Sequence, residues 1–589
     1  MALVNVAVDL ARSGRKVLAV DFDLEAPGLD TFDLAQPSGT CPGIIDFVST
    51  YIETGSAPSV RDFVFESTDI GSDHGSLWIM PSGAQSDSYA KTFAEIDWAT
   101  LYERHDGYLL FEDLKAQWEE LLDPDYVLID SRTGHTDIGG ICTRQLPDAV
   151  VILFFPNAQN LRGLTKVVHD IRAERTEPNS NTIDLHFVMS NVPDLDDEDK
   201  ILEDNIASFQ NNLGFRGNPL IIHRYDSLSL LNQVIFSKDR RRSRLAREYS
   251  ALSTAITRLN PKDREGALMY IESALTNSGP LGLREGATRK PHTHLSEIQE
   301  TFHDDGEVLF RVGSFHAEYG RFDDAVTLFD SAIDAGYHAP DIFLRRADIR
   351  HLETDHDGAS ADAKYALQCA GATAVQVRRA LAMIVPGQFG GIADSPAVMS
   401  LSPDDKVQVV SGLNRSRLAA QTTRDILLSV VDQEDLPSDI RKDARHQFVL
   451  SSIALGMYSD AMNTTHEEHP EVQHMDIQFA FNYGMALWGD TGHIVRDPFE
   501  RVVELERLEP RRNPDPNYLQ CMSIAYFAVG KPDRARDSLE GARREINRGH
   551  SAFSCWRYLY VLRRQFVEDI GEILKLIDGN VTIRPRFIE

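Results

Sequence analysis

A chain of 589 residues is longer than one hydrophobic core serves, so two or three domains are expected. Its hydrophobic fraction of 42% and charged fraction of 25% are those of a globular protein, and no apolar run reaches the roughly 20 residues that a membrane-spanning helix needs. The net charge of −30, from 90 acidic against 60 basic residues, disfavours general adhesion to nucleic acid or anionic membrane unless a local basic patch overrides it.

The N-terminal stretch is apolar, but Asp9 and Arg12 interrupt it, and it lacks the charged leader and small-residue cleavage site of a signal peptide. It reads as a helix that ends at Ser13-Gly14, with glycine as the C-cap. Near-continuous apolar runs follow at Val17–Asp21, Tyr126–Asp130, Ala149–Phe155 and His186–Ser190, the pattern of strands buried on both faces of a parallel sheet. Helical stretches such as Leu161 to Arg172 separate them, so residues 1–258 are expected to form a doubly wound α/β domain. Residues 259–300, with Asn260-Pro261, Ser278-Gly-Pro280 and Lys290-Pro291, are the expected linker, although 266–275 can still form a short helix.

Residues 301–589 are helical almost throughout, and they repeat. Leu309, Val312, Gly313, Gly320, Phe322, Ala325, Phe329 and Ala332 have the spacing of a tetratricopeptide (TPR) unit. A second unit follows with Phe343, Ala347, Ala359, Ala363 and Ala366. A third carries Leu519, Met522, Tyr526, Gly530, Ala535, Leu539 and Ala542. Partial matches lie at 456–461 and at Tyr483-Gly484, whereas 385–440 is helical without a register. Such arrays bind peptides or helices of partner proteins in a concave surface. The five cysteines, Cys41, Cys142, Cys369, Cys521 and Cys555, form no C-x-x-C pair, which argues against structural zinc and disulfides and for a reducing cytoplasm.

Three strand ends carry polar groups at the carboxyl edge, where α/β sheets bind ligands. The segment Val17-Leu-Ala-Val-Asp21-Phe-Asp23-Leu-Glu25-Ala-Pro-Gly28 resembles the first switch of the ParA/MinD family of P-loop ATPases. Asp125-Tyr-Val-Leu-Ile-Asp130-Ser-Arg-Thr-Gly134 resembles its Walker B strand and second switch, Asp148–Pro156 the next strand, and Val188-Met-Ser-Asn191 the strand whose terminal Asn reads adenine. The resemblance covers about residues 2–250. It implies ATP and Mg²⁺, with Asp130 on the metal, Asp21 in support, and Asp23 orienting the attacking water; Glu25 is a further candidate. It also implies a homodimer formed through this domain.

Several departures accompany the resemblance. Arg132 replaces a proline common in the second switch, and it can either bind phosphate bidentately or pair with a carboxylate. Where familiar members have Ile-Pro-Glu-Asp, this chain has Ile222-His223-Arg224-Tyr225, so His223 or Tyr225 is expected to stack on the base instead. The cluster from Arg240 to Arg247 matches the place where ParA proteins hold DNA phosphates, but the reading favoured here is a solvated face paired with acidic neighbours. The family's phosphate loop, K-G-G-x-G-[KR]-[ST], belongs immediately ahead of the helix that begins at Met1. Either the native protein starts some ~20 residues earlier with an intact βαβ unit, or the domain is a pseudo-NTPase scaffold. The first is favoured, because removing a central strand orphans buried backbone groups at ~1–3 kcal/mol each, against a domain stability of ~5–15 kcal/mol. The function expected is therefore a regulatory ATPase whose nucleotide state governs protein assembly through the repeats. A non-catalytic scaffold and a DNA-positioning ATPase are the alternatives.

Overall fold

The computed structural model describes residues 1–34, 41–68, 75–84, 89–131, 140–174, 183–194, 199–215, 217–226, 234–258, 260–277, 291–433, 435–546, 551–580 and 582–588. The chain divides into two compact units, one of residues 1–273 with 287–301, the other of 274–286 with 302–589.

In the first unit, α1 (Ala2–Arg12) buries Val4, Ala7, Val8 and Ala11 and turns through Gly14, whose φ of +94° suits only glycine, into β1 (Lys16–Asp21). Next come α2 (Ile44–Thr54), β2 (Phe65–Glu66), β3 (Ser76–Met80), α3 (Tyr89–Glu95), α4 (Trp98–Arg104), α5 (Gly107–Leu122) and β4 (Tyr126–Asp130). They form a sheet of order β2-β3-β1-β4, in which β1 runs parallel to β3 and β4 and only the short β2 is antiparallel. A second sheet, β5-β6-β7, is parallel throughout; it comprises β5 (Ala149–Phe154), β6 (Asp184–Val192) and β7 (Leu220–His223), with α6 (Ala158–Glu174) and α7 (Asp199–Leu213) between them. The unit continues with α8 (Phe236–Asp239), α9 (Arg244–Thr257), α10 (Arg264–Asn277) and α11 (Pro291–Thr301), so the stretch expected as linker holds two helices.

The period-2 alternation of strands explains the layers. Leu18 and Val20 face a core with Phe47, Phe111 and Trp118 of α2 and α5. Val17 and Ala19 face the opposite way, into a cluster that also holds Val188 of β6, Ile222 of β7, and residues of α1 and α9. The other face of the second sheet is covered by α6 and α7, with Phe154 stacked on Phe209 at 4.6 Å. Helices thus cover both faces, as expected of a doubly wound unit. One thing differs from a continuous sheet: no hydrogen-bonded pairing joins β4 to β5 among the described residues.

The second unit is an array of helical hairpins: α12 (Gly306–Glu318) with α13 (Phe322–Asp334), and α14 (Pro340–Leu352) with α15 (His356–Gln368). After α16 (Ala374–Met383), α17 (Pro396–Met399) and α18 (Pro403–Val410) come α19 (Arg417–Val431), α20 (Ser438–Ala454) and α21 (Tyr458–Glu468). Then α22 (Ile477–Thr491) pairs with α23 (Arg496–Leu508), and α24 (Pro516–Ala528) with α25 (Pro532–Glu545). The small residues of the TPR pattern do what their spacing implies. A Cβ on Gly313 would lie 2.8 Å from Phe329, and one on Gly484 would lie 2.8 Å from Phe499, so each glycine lets its helix approach an aromatic ring on the next. Ala325, Ala332, Ala359, Ala363, Ala535 and Ala542 are buried. This is a TPR-like array. It ends in a hairpin of β8 (Ser551–Ser554) and β9 (Leu559–Leu562), followed by α26 (Arg563–Ile577). Among the described residues no helix is long and apolar enough to cross a membrane.

Candidate functional site

The parallel register of β1 and β4 sets Asp21 directly opposite Asp130 at the carboxyl end of the first sheet. The Phe22 N–H donates to the Asp130 carbonyl at 2.9 Å, which locks the two strand ends together. Asp21 is only 1% exposed, and its carboxylate organises the loop that follows. It accepts the Asp23 N–H at 3.2 Å on one oxygen and the Gly28 and Leu29 N–H groups, both at 3.1 Å, on the other. Asp21 is therefore the pin of the 22–29 loop, a structural role that motif reading does not disclose. The loop is held a second time by Tyr89, whose hydroxyl donates to the Leu24 carbonyl at 2.9 Å. Asp23 is half-buried beside this pin, and its carboxylate accepts the Ala26 N–H at 3.3 Å; Glu25 is exposed.

Electrostatically the edge is a strained acidic site. Burial pushes the Asp21 carboxyl up to about 6, outweighing the Leu29 and Gly28 amides that favour its ionised form, and the Asp130 charge pushes the same way. Burial also raises Asp130, with the Asp23 charge adding to it, while the α-amino group of Met1 pulls it down. That amino group is itself lowered by burial and held up by Asp130 and Asp21. No cluster of three or more His, Cys, Asp or Glu among the described residues is arranged to hold a metal by itself. Mg²⁺ does not require one, because it takes one or two carboxylates and fills its octahedron with water and phosphate. The donor set fits that ion: two adjacent carboxyls, destabilised by burial, gain most from a cation.

The second group of expected residues gathers at the end of the other sheet. Val192 pairs with His223 where the β6–β7 register shifts, and Asn191 bulges there at φ +58° with its side chain exposed. His223 is tied down: its N–H donates to Glu248 at 2.8 Å, and its ring Nδ1 lies 2.7 Å from the other oxygen of the same carboxylate. Tyr225 sits edge-on to Phe236 at 5.3 Å. Of the three, Asn191 is the one exposed at the edge, while His223 and Tyr225 are engaged with α9 and α8. Arg132 lies outside the described residues. In the basic cluster Arg244 is paired with Asp194 at 2.6 Å and Glu248 at 3.0 Å; Arg240, Arg241, Arg242 and Arg247 are exposed.

Sequence reasoning missed the group that closes the opposite end of β1 and β4. Asp263, at the start of α10, accepts Arg15 Nε at 2.8 Å and the Tyr126 hydroxyl at 3.1 Å. These partners are over a hundred residues apart in sequence, and no motif announces them.

No protein-family model matches the chain, and no curated protein does. Among solved structures it is similar to the ATP complex of a point variant of McdA from Cyanothece, at 17% identity over 43% of this chain and 91% of that one, with a TM-score of 0.33. It is similar to a tetratricopeptide repeat protein from Parabacteroides merdae, at 13% identity over 56% of this chain and 100% of that one, TM-score 0.23. It is also similar to yeast Tom70, at 12% identity over 84% and 94%, TM-score 0.20.

Proposed function

We propose that the first unit is a Mg²⁺·ATP-dependent switch of the ParA/MinD type, and that the helical unit selects the protein partner whose assembly the switch controls. The observation that carries this reading is the Asp21–Asp130 pair, in register at the carboxyl edge of two parallel strands, Asp21 buried and Asp130 half-buried, and both raised by burial. Asp130 would hold the ion. Bound there, Mg²⁺ would neutralise phosphate charge during transfer. Asp21 keeps the 22–29 loop folded, and that loop presents Asp23, which would orient the attacking water. Asn191, exposed at the end of β6, would read the base from the second sheet.

A parallel strand and phosphate loop between β4 and β5 would complete such a site. Among the described residues the outer edges of β4 and β5 have no strand partner, which supports this, since a parallel strand entering there would make one sheet of two and bring Asp130 and Asn191 to a common edge. Nucleotide-dependent pairing of two such units would be the switched event. A protein in which a strand and phosphate loop lead into α1 provides the test. That protein is expected to bind ATP with Mg²⁺ and hydrolyse it slowly. Asp23→Ala should retain ATP binding in calorimetry and lose at least about a hundredfold in turnover, the scale of a positioned proton-transfer group, whereas Asp130→Ala should weaken Mg²⁺·ATP binding itself. Full turnover by Asp23→Ala would sink the role assignment, and absence of ATP binding by the parent protein would leave the scaffold reading.

A further inference from the structure

In the second unit, the segment without TPR register surrounds a cavity of about 490 Å³, a volume within the usual range of ligand and peptide pockets. Prolines at 386, 396 and 403 break the chain there into short helices around the Gly390-Gly391 turn, where Gly391 has a φ of +76° and a Cβ at either glycine would meet open space. Opposite that turn runs α19. Its inward face is already filled: Ala419, Ala420, Thr423, Ile426, Leu427 and Val430 are buried. Its other face still carries Leu418 and Leu428, which are 47% and 48% exposed, and Met399 of α17 across the cavity is 65% exposed. On that face Leu418 and Leu428 stand beside Gln421, Asp425 and Ser429, an amphipathic lining. Three large apolar side chains around a single hollow form a patch, unlike the scattered exposed leucines of ordinary surfaces.

The charge at this hollow has one sign in excess. Lys406 is its only lysine or arginine, and its ammonium donates to the Ser429 hydroxyl at 3.1 Å. Asp394 is exposed and has no cation partner among the described residues, and Asp425 accepts only the Gln421 amide, at 2.7 Å. A second copy of this face would bring like charges together, in a chain that already carries a net −30. The occupant that satisfies both the leucines and the carboxylates is apolar on one side and basic beside it.

We propose that the hollow between α19 and the 389–399 segment is a docking site for a basic amphipathic segment of a partner protein, whose apolar side chains cover Leu418, Leu428 and Met399 and whose Lys or Arg meets Asp394 and Asp425. This rests on the reading of the helical unit as the partner-binding half of the protein.

The test uses the full chain and a fluorescein-labelled helical peptide of about 14 residues, with Leu at i, i+3, i+4 and i+7 and Lys elsewhere. A matched peptide has Glu in place of Lys. Fluorescence anisotropy is measured at about 0.15 M salt, where attraction beyond ~8 Å is screened. The Lys peptide should bind and the Glu peptide should not. Leu428→Gln and Leu418→Gln should each weaken binding about tenfold. Both side chains are half in water, so the helical circular dichroism and melting of these variants should match the parent. The double change Asp394→Lys, Asp425→Lys should reject the Lys peptide and admit the Glu peptide. Equal affinity in the parent and the leucine variants would mean that net charge alone attracts the peptide and would overturn the site. Failure of the parent to bind the Lys peptide would also overturn it. Partner binding by the helical unit in general is scored separately, by nucleotide-dependent association of the native protein with its partner in the Leu428→Gln background. Its loss or survival there does not depend on the model peptide.

Discussion

Asp362 offers the sharpest energetic test of how the repeats are joined. Its carboxylate is 1% exposed and sits at the centre of a charged network within the first two repeats. Arg346 of α14 clamps it with two bonds, at 3.0 and 2.6 Å, and Arg350, one turn on, adds a third at 2.8 Å. Arg346 also pairs with Asp330 of α13, so the network spans a repeat boundary. Asp362→Ala removes the acceptor and leaves two guanidinium groups behind. Breaking a buried pair from one side costs about 3–5 kcal/mol. Two features place this case at the lower end, near 3 kcal/mol: Arg346 keeps Asp330, and Arg350 is 27% exposed and can hydrate. In an array stabilised mainly between neighbours, the loss should fall on α13 to α15 rather than on the whole chain. Urea unfolding combined with hydrogen exchange resolves this: amides of α13–α15 should lose protection while those of α24 and α25 keep theirs. Asp362→Leu combined with Arg346→Met and Arg350→Met should recover most of the loss, because an apolar replacement leaves no orphaned charge. A cost under about 1 kcal/mol for Asp362→Ala would refute the reasoning, since that is the worth of an exposed pair.

Two further outcomes follow from packing and from titration. Gly313→Val and Gly484→Val should each destabilise the helical unit by about 1–3 kcal/mol, because rings that are fully buried, Phe329 and Phe499, cannot retreat from a new Cβ; Phe329→Leu should partly rescue the first in thermal melts. Burial alone would raise the Asp263 carboxyl, but the hydrogen bonds from Arg15, the Gly266 amide and Tyr126 together hold it below its ordinary 3.8. A depressed carboxyl stabilises above its unfolded pKa and loses that contribution as pH falls through its folded one. The stability difference between the parent and Arg15→Gln should therefore be constant from about pH 8 to 5 and shrink below about pH 4; a flat difference down to pH 3 would contradict the assignment.

The parts legible in the sequence are those with local signatures. Apolar runs located β1, β4, β5 and β6, and the TPR spacing located α12–α15, α24 and α25, since each depends on residues a turn or a strand apart. The acidic edge was legible for the same reason: Asp21 and Asp130 each end an apolar run, and parallel pairing does the rest. What was not legible depends on distant partners. β3 is five residues long, β7 is four, and both are strands by virtue of their neighbours. The Asp21 cage is made of backbone amides, which carry no residue identity, and the commitment of His223 to Glu248 depends on α9 docking beside β7. The terminal hairpin β8–β9 escaped because its strands have four residues each, too few to show a period. Residues 385–410 gave no register because prolines at 386, 396 and 403 break the chain into helices of three to eight residues.

The gap between the two sheets among the described residues and the acidic edge meet at β4. β1, paired on both sides, is buried from Val17 to Asp21, whereas β4 is as apolar but paired only with β1, and Val127 to Asp130 are left half-buried. On β5, Leu153 is 39% exposed, and Phe155 just beyond it is 37% exposed. Unpaired apolar edges of this kind invite another strand, and both belong to sheets packed on the same cluster of α1 and α9 residues. Burial lifts Asp130 at the end of β4 and Asp21 opposite it on β1. A parallel strand between β4 and β5 would pair the two edges, and a phosphate loop at its carboxyl end would lie beside the two carboxylates. Mg²⁺·ATP would then bring the cation that their burial calls for. On the proposed reading, sheet continuity and nucleotide binding would be one equilibrium: whatever completed the sheet would assemble the site, and whatever occupied the site would hold the sheet together.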